Sequence, residues 1–114
     1  MFYLFSQNNS GGFFEVNDKV CHFVIIEADD YRFANIIAED IGIYFDGCEN
    51  DTDCPCCGDR WDRVDSYDGK DQPMIYSIIP EDFSDCWTSN SDDVYCRVYY
   101  KNGEVKEFKG ARSE

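Results

Sequence analysis

Short hydrophobic runs alternate along the chain with polar, turn-forming stretches, which is the pattern of strands joined by loops. The opening run MFYLF (residues 1–5) leads into the turn-rich stretch SQNNSGG, and FFEV (residues 13–16) resumes the apolar pattern. The next run, VCHFVIIEA (residues 20–28), is rich in β-branched and aromatic residues, which are enriched in strands. These patterns predict two strands joined by a loop, followed by a third strand that is buried.

One segment has the periodicity of a helix. Apolar residues recur every fourth position at Phe33, Ile37 and Ile41, and small alanines flank this stripe. An aspartate pair at residues 29–30 is suited to cap the first turn, and Gly42 stands where a helix commonly ends. The sequence therefore predicts a single convincing helix between these two signals.

The C-terminal half contains further strand patterns. IYF (residues 43–45) and MIYSIIP (residues 74–80) are apolar, and proline ends the second run. The stretch VYCRVYYKNGEVKEF (residues 94–108) alternates about Asn102-Gly103, a dipeptide favoured in two-residue hairpin turns. We therefore expect two more strands and then a C-terminal hairpin.

Residues 46–71 lack a regular pattern, and so long an irregular segment within a compact domain calls for another source of order, such as a metal, a ligand or packed aromatic residues. At 114 residues the chain has the length of one domain. The sequence as a whole predicts one α+β domain over residues 1–114, with a mainly antiparallel sheet, one packed helix and a long cysteine-bearing loop.

The charge balance limits the classes of function. The chain has 24 acidic and 10 basic residues and a net charge of −14, which repels phosphate backbones, so direct binding to nucleic acid is not expected. A basic partner fits this charge, and so does selection for solubility alone. The sequence shows no signal-peptide pattern and no apolar run long enough to span a membrane, which predicts a cytoplasmic protein without a membrane partner.

Seven cysteines cannot all pair within one chain, and three of them lie in the stretch CPCCG at residues 54–58. Cys54 and Cys57 have the spacing of a zinc knuckle, with Cys48 or Cys56 as possible additional ligands. A second C-x-x-C pair is absent from the sequence, so this is half of a zinc site. Zinc is therefore a candidate cofactor, and reduced thiols packed in the fold or thiol chemistry are the alternatives.

Two loops combine residue types that suit recognition. Arg60 can hold a phosphate or carboxylate through two donors, and the neighbouring Trp61 offers a face on which a base can stack. The loop at residues 7–12 adds amides, a hydroxyl and glycines that allow a ligand to approach the backbone closely. The predicted binding residues are Asn8, Asn9, Ser10, Gly11, Gly12, Asp59, Arg60 and Trp61.

Aspartates recur at every third position from Asp59 through Asp62, Asp65, Asp68 and Asp71. On a straight helix this spacing would distribute the carboxylates around most of the circumference, so a solvated loop is the simpler interpretation. The functional interpretation is a charged strip that imitates successive phosphates and occupies a nucleic-acid-binding protein.

Three stretches resemble a family of small accessory proteins encoded by tailed bacteriophages: MFYLFSQNNSGG, the EA…AN…AE…GIYF segment and DCPCCGDRW. The resemblance covers about the first 60 residues, and no activity carries over from it. It implies expression in the cytoplasm of an infected bacterium, where small accessory phage proteins often disable a host defence or redirect a host enzyme.

These observations favour a non-enzymatic binding protein that counters a host defence. It would dock on a host protein or sequester a small nucleotide signal, with Arg60 holding phosphate and Trp61 stacking on the base. The alternatives are an acidic nucleic-acid mimic that occupies a DNA- or RNA-binding host protein, and a small zinc-dependent or thiol enzyme.

Overall fold

The computed structural model describes residues 1–8, 17–50, 52–53, 58–80 and 94–109. In this part of the chain four strands form one sheet with the order β1-β2-β3-β4, and one α-helix packs against it. The elements are β1 (Phe2–Ser6), β2 (Phe23–Glu27), α1 (Tyr31–Asp40), a 3₁₀ turn (Ser66–Asp68), β3 (Val94–Tyr99) and β4 (Val105–Lys109).

Two of the three strand pairings are antiparallel. Strand β1 pairs with β2, with Phe2 opposite Glu27, and β3 pairs with β4. Strands β2 and β3 run parallel, with Phe23 opposite Cys96, so the chain between them must return to the same end of the sheet, and α1 lies on that crossover. The predicted α+β class with a mainly antiparallel sheet is confirmed.

Strand β2 lies inside the sheet and is covered on both faces. Val24 and Ile26 pack on the face that carries α1, whereas Phe23 and Ile25 pack on the opposite face with Ile75. A strand buried on both sides has a continuous hydrophobic sequence rather than an alternating one, which explains the composition of this run. The strand predicted at FFEV (residues 13–16) lies outside the described residues.

The helix begins and ends where the local signals place it. The Oδ1 atom of Asp30 accepts hydrogen bonds from the backbone N–H groups of Arg32 (2.9 Å) and Phe33 (3.1 Å), and Gly42 follows the helix with φ +110°. Ala34 and Ala38 are buried against the sheet. The short alanine side chains let the helix approach β2 closely.

No helix in the described part of the chain has the length and hydrophobicity needed to cross a bilayer.

The stripe that revealed the helix does not form the centre of its buried face. Phe33 is 54% exposed, and Ile37 and Ile41 are only half-buried. The periodicity therefore identified the helix correctly, but the alanines beside the stripe face the sheet because the narrow space between α1 and β2 admits small side chains.

Two segments predicted as strands are not strands. Residues 43–45 extend from the helix into the core as irregular chain, with Ile43 and Phe45 buried. In residues 74–80 the chain reverses at a tight turn, where Ile75 and Ile78 exchange backbone hydrogen bonds of 2.7 and 3.0 Å. The apolar side chains of these segments pack on the two faces of the sheet. Packing on a sheet requires hydrophobic side chains but does not require the backbone to pair as a strand.

The C-terminal hairpin is present, but its turn differs from the predicted one. The N–H of Gly103 donates to the carbonyl of Tyr100 (3.0 Å), and the N–H of Tyr100 donates to the carbonyl of Glu104 (2.8 Å). Gly103 has φ +95°, so the connection is a three-residue loop that ends in a glycine bulge rather than a two-residue turn.

The helix cap allows a direct test of the local energetics. Replacing Asp30 with Ala removes the acceptor for two backbone N–H groups, and we expect the free energy of unfolding in urea to fall by about 1 kcal/mol. Asp40→Ala is the matched control, since a carboxylate in the last turn is unfavourable to the helix dipole and its removal is expected to be neutral or stabilising. Equal losses in both variants would contradict the assignment of the cap.

Candidate functional site

Arg60, the cation of the predicted recognition loop, is buried. Its side chain is 4% exposed, and its donors are directed at protein atoms. The Nε atom donates to the hydroxyl of Tyr44 (3.0 Å), and Nη1 donates to Oε1 of Gln7 (3.1 Å). Gln7 in turn donates from Nε2 to the carbonyl of Cys21 (2.9 Å), which ties the guanidinium to the chain that enters β2.

Asp53 supplies the opposite charge and is buried with Arg60. Its Oδ1 lies 3.8 Å from Arg60 Nε and accepts a 2.6 Å hydrogen bond from the Tyr44 hydroxyl. Its Oδ2 accepts a 2.7 Å hydrogen bond from the backbone N–H of Arg60. Both carboxylate oxygens are therefore engaged, as a buried charge requires. Burial, followed by the hydrogen bond to Asp53, raises the pKa of Tyr44 above its ordinary value.

Gly47 makes room for this carboxylate. A Cβ atom at Gly47 would lie 2.0 Å from Oδ2 of Asp53, closer than any side chain could tolerate. The Gly47 carbonyl also accepts hydrogen bonds from the N–H groups of Thr52 (2.8 Å) and Asp53 (3.0 Å), so the turn delivers the aspartate to the arginine. We define Gln7, Tyr44, Asp53 and Arg60 as the arginine network.

The described ends of the two predicted recognition loops lie side by side. The N–H of Asn8 donates to the carbonyl of Arg60 (2.8 Å), and its side-chain Nδ2 donates to the carbonyl of Asp59 (3.2 Å). The Oδ1 atom of Asp59 accepts the N–H of Cys48 (2.9 Å). Gly58 has φ +88°, a conformation that glycine adopts without strain. Asn8 itself is exposed at this junction.

Trp61 belongs to the hydrophobic core. It is 1% exposed and lies in the same core cluster as Phe5, Phe45 and Val64 on the α1 face of the sheet. Its indole N–H is buried and has no acceptor among the described residues, an arrangement that costs about 1–3 kcal/mol. The apolar area that the ring buries offsets this cost.

Arg60 and Trp61, both predicted as binding residues, are buried in this structure: the arginine neutralises Asp53, and the tryptophan fills the core. Their role in binding stays a prediction. Several other predicted residues lie outside the described part of the chain, so the rest of the recognition surface and the zinc knuckle are untested; these residues are Asn9, Ser10, Gly11, Gly12, Cys54, Cys56 and Cys57.

Tyr44 and Asp53 were not among the residues selected from the sequence. A buried arginine needs a carboxylate, but an acidic sequence offers many candidates, and no spacing rule singles out a partner seven residues away. Gln7 was placed in the predicted recognition loop at residues 7–12, not in a buried network. Only the tertiary contacts, which bring Gln7 to Arg60 from 53 positions away, identify the network.

The described cysteines are reduced thiols with different surroundings. Cys21 and Cys96 are buried, and Cys48 is half-exposed. Burial raises the pKa of Cys21 to about 11, and its Sγ donates to the carbonyl of Phe23 (3.2 Å). Within the described ranges, no group of three or more histidine, cysteine or acidic side chains is arranged to hold a metal ion.

The fold and this site define a small α+β protein whose polar loops are joined by a buried arginine–carboxylate network. A family model described as "Domain of unknown function (DUF7296)" matches residues 1–114, and the chain belongs to that family. No curated protein and no solved structure matches the chain.

We expect the arginine network to dominate the stability of the loops. Arg60→Met removes the charge that compensates Asp53 and should lower the free energy of unfolding in urea by about 3–5 kcal/mol. Adding Asp53→Asn to this variant should restore part of the loss, because the uncompensated charge is then removed. Arg63→Met is the matched control, since Arg63 pairs with Asp46 at the surface and such a pair contributes about 1 kcal/mol or less. Similar losses for both arginines would contradict the network's role.

The cysteines should differ in reactivity. At pH 8 a thiol with a pKa of about 11 is roughly 0.1% ionised, so alkylation of native protein with iodoacetamide should label Cys48 well before Cys21. Each unit of higher pH up to 11 raises the Cys21 thiolate about tenfold, so its labelling should increase toward alkaline pH. Peptide mass mapping measures both sites, and equal labelling at pH 8 would contradict the burial of Cys21.

Proposed function

We propose that this protein is a non-enzymatic accessory protein of a tailed phage, which acts in the cytoplasm of the infected bacterium and counters a host defence by docking on a host protein. The observation that favours a protein partner over a nucleotide is that the guanidinium of Arg60 is buried and hydrogen-bonded within the protein. An arginine that holds a nucleotide phosphate must offer donors to the ligand, whereas Arg60 directs Nε and Nη1 at Tyr44 and Gln7. Opening this site would leave Asp53 buried without its partner.

The surface charge supports a basic partner. Among the described residues, five of the chain's ten basic side chains form ion pairs with carboxylates, three of them at exposed positions, and these three cations do little to interrupt the acidic surface. The pairs are Arg32–Asp30, Arg60–Asp53, Arg63–Asp46, Arg97–Glu107 and Lys101–Asp29. A surface of one sign attracts an oppositely charged partner and accelerates the encounter.

An acidic segment, residues 62–71, combines this charge with an exposed aromatic ring. Four aspartates of the segment are exposed, and Tyr67 between them is 87% exposed. Asp65 and Asp68 cap the 3₁₀ turn that presents this tyrosine, since the N–H of Asp65 donates to Asp68 Oδ2 (2.7 Å). Tyrosine is enriched at the energetic centres of protein interfaces, so this segment is suited to protein docking.

The same exposed aspartates favour the nucleic-acid mimic as a second candidate. Asp62, Asp65, Asp68 and Asp71 all face solvent, as a strip of phosphate substitutes would. Asp59 departs from the strip, because its carboxylate accepts the N–H of Cys48. A mimic would occupy the DNA- or RNA-binding surface of its host protein. The thiol-enzyme alternative receives no support from Cys21, whose raised pKa is the opposite of what a nucleophile needs.

The proposal is tested by affinity capture from bacterial cytoplasmic extract. We expect the immobilised protein to retain one defined bacterial protein at low salt and to release it as salt screens the charges. Asp62→Asn combined with Asp71→Asn should weaken capture. Asp18→Asn combined with Glu39→Gln is the matched control, because it removes the same charge from exposed positions outside the acidic segment.

Recovery of a nucleotide rather than a protein, or equal capture by both double variants, would contradict the proposal. If the captured protein binds nucleic acid and duplex DNA displaces it, the mimic replaces the docking mode proposed here.

A further inference from the structure

Strand β1 forms one edge of the sheet, and the middle of its outer side is unpaired among the described residues. The register of β1 on β2 directs the N–H and C=O groups of odd-numbered residues toward β2, as the 2.9 Å bond from the Gln7 N–H to the His22 carbonyl shows. Because alternate residues of an antiparallel strand point their peptide groups to opposite sides, those of Leu4 and Ser6 face outward. No described residue on that outer side bonds to them.

The chain itself closes the two ends of this edge. At one end Phe2 and Lys70 exchange two backbone hydrogen bonds, 2.8 and 2.9 Å long. At the other end the Asn8 N–H donates to the carbonyl of Arg60 (2.8 Å). From Phe2 to Asn8 the edge is about 20 Å long. Residues 60 and 70 form backbone hydrogen bonds with it at its two ends, and the described residues between them do not.

Asn35 of α1 explains why the accompanying segment leaves the edge. Its Oδ1 accepts the N–H of Val64 (3.0 Å), and its Nδ2 donates to the carbonyl of Val64 (3.1 Å). The peptide groups that would continue the ladder at this point are therefore satisfied by the helix. Val64 is drawn into the core, and β1 is left without a partner between its two pinned ends.

A hollow of about 410 Å³ lies beside the free edge. This volume is that of a small ligand site. Its wall brings the edge strand together with the acidic segment and with the turn at residues 74–77. Its lining includes Leu4, Ser6, Asp62, Asp68, Lys70 and Tyr76.

Tyr76 stands on the wall of this hollow in a strained conformation. Its φ of +58° is unusual for a residue with a bulky side chain, and the residue is nonetheless 59% exposed. The ring leans edge-on against Phe23, with centroids 6.0 Å apart. An asparagine or a glycine would form this turn with less strain, so an exposed aromatic ring at such a position points to a contact outside the fold.

The charges around the hollow are predominantly negative. Asp62 and Asp68 line it, and among the described lining residues the cations are Arg63 and Lys70. Arg63 is already held by both oxygens of Asp46, at 3.2 and 2.9 Å. Lys70 alone thus opposes two lining carboxylates, so a phosphate or an acidic segment would be repelled here and a basic side chain would be attracted.

We propose that this hollow is a docking site for a short extended peptide segment of a partner protein, one that carries a basic side chain and adds a strand to β1 at Leu4 and Ser6. Peptide N–H and C=O groups are the natural complement of two successive free peptide groups on a sheet edge. Tyr76 packs against the incoming segment, and Asp62 and Asp68 receive its basic side chain. The inference rests on the proposed function in taking a protein as the partner, and it assigns the site of contact.

The proposal is tested with a displayed library of random linear heptapeptides selected on the whole protein. We expect enrichment of sequences with Lys or Arg flanked by β-formers. Amide hydrogen exchange followed by NMR then locates the contact: in the free protein Leu4 and Ser6 exchange faster than Tyr3 and Phe5, and the bound peptide slows both. A copy of the peptide N-methylated at alternate residues loses the paired donors and should bind at least about tenfold more weakly.

Two variants separate binding from folding. Tyr76→Asn keeps a residue that tolerates positive φ and removes the ring, so it should retain the thermal midpoint and weaken peptide binding at least about tenfold. Asp62→Asn should weaken binding about two- to fivefold, whereas Asp18→Asn, outside the hollow, should leave it unchanged. The Asp62 comparison decides the matter if Tyr76→Asn fails to fold.

An edge already protected in the free protein, the absence of enriched peptides, or exchange changes that map away from Leu4 and Ser6 would each overturn this site. None of these outcomes affects capture of a host protein through another surface. Conversely, failure of capture from extract with intact peptide binding would refute the proposed function and leave the peptide site standing.

Discussion

The burial of one guanidinium organises the irregular half of this protein. A charge removed from water must find both an opposite charge and hydrogen-bond partners, and Arg60 finds them in Asp53, Tyr44 and Gln7. Tyr44 and Asp53 lie 16 and 7 positions before Arg60, whereas Gln7 lies 53 positions before it. The network therefore performs, for the segment at residues 46–71 that lacks a regular sequence pattern, the ordering role that a metal or a ligand performs in other small domains.

The unpaired middle of the β1 edge depends on the same residue, Arg60. The carbonyl of Arg60 holds Asn8 at one end of β1, and Lys70 holds Phe2 at the other end. Between these points Trp61 and Val64 are committed to the core on the α1 face, so the chain cannot also pair with β1. The interaction that closes a polar site around Arg60 thus helps to leave the neighbouring strand edge open, because one backbone segment cannot satisfy both demands.

The buried arginine network and the open edge of β1 shift the functional interpretation away from Arg60 and Trp61 and toward the exposed residues. The arginine and tryptophan that resembled a nucleotide clamp stabilise the fold. What faces solvent is an acidic segment with a projecting tyrosine, and a hollow with free peptide groups and a strained aromatic ring. These are features of a protein-binding surface, which supports our proposal that the protein acts by docking.

Local signals in the sequence determined β2, the α1 helix with its aspartate cap and glycine stop, and the C-terminal hairpin, because each depends on residues within a few positions of one another. The same reasoning failed for residues 74–80, whose hydrophobicity serves coverage of a sheet rather than pairing within it. It also could not assign Arg60 to the interior, since the partner that makes burial possible was one of 24 acidic residues. Only the tertiary structure decided which carboxylate met the arginine and which strand edge stayed open, because both depend on contacts between segments whose spacing in the chain carries no information about their distance in space.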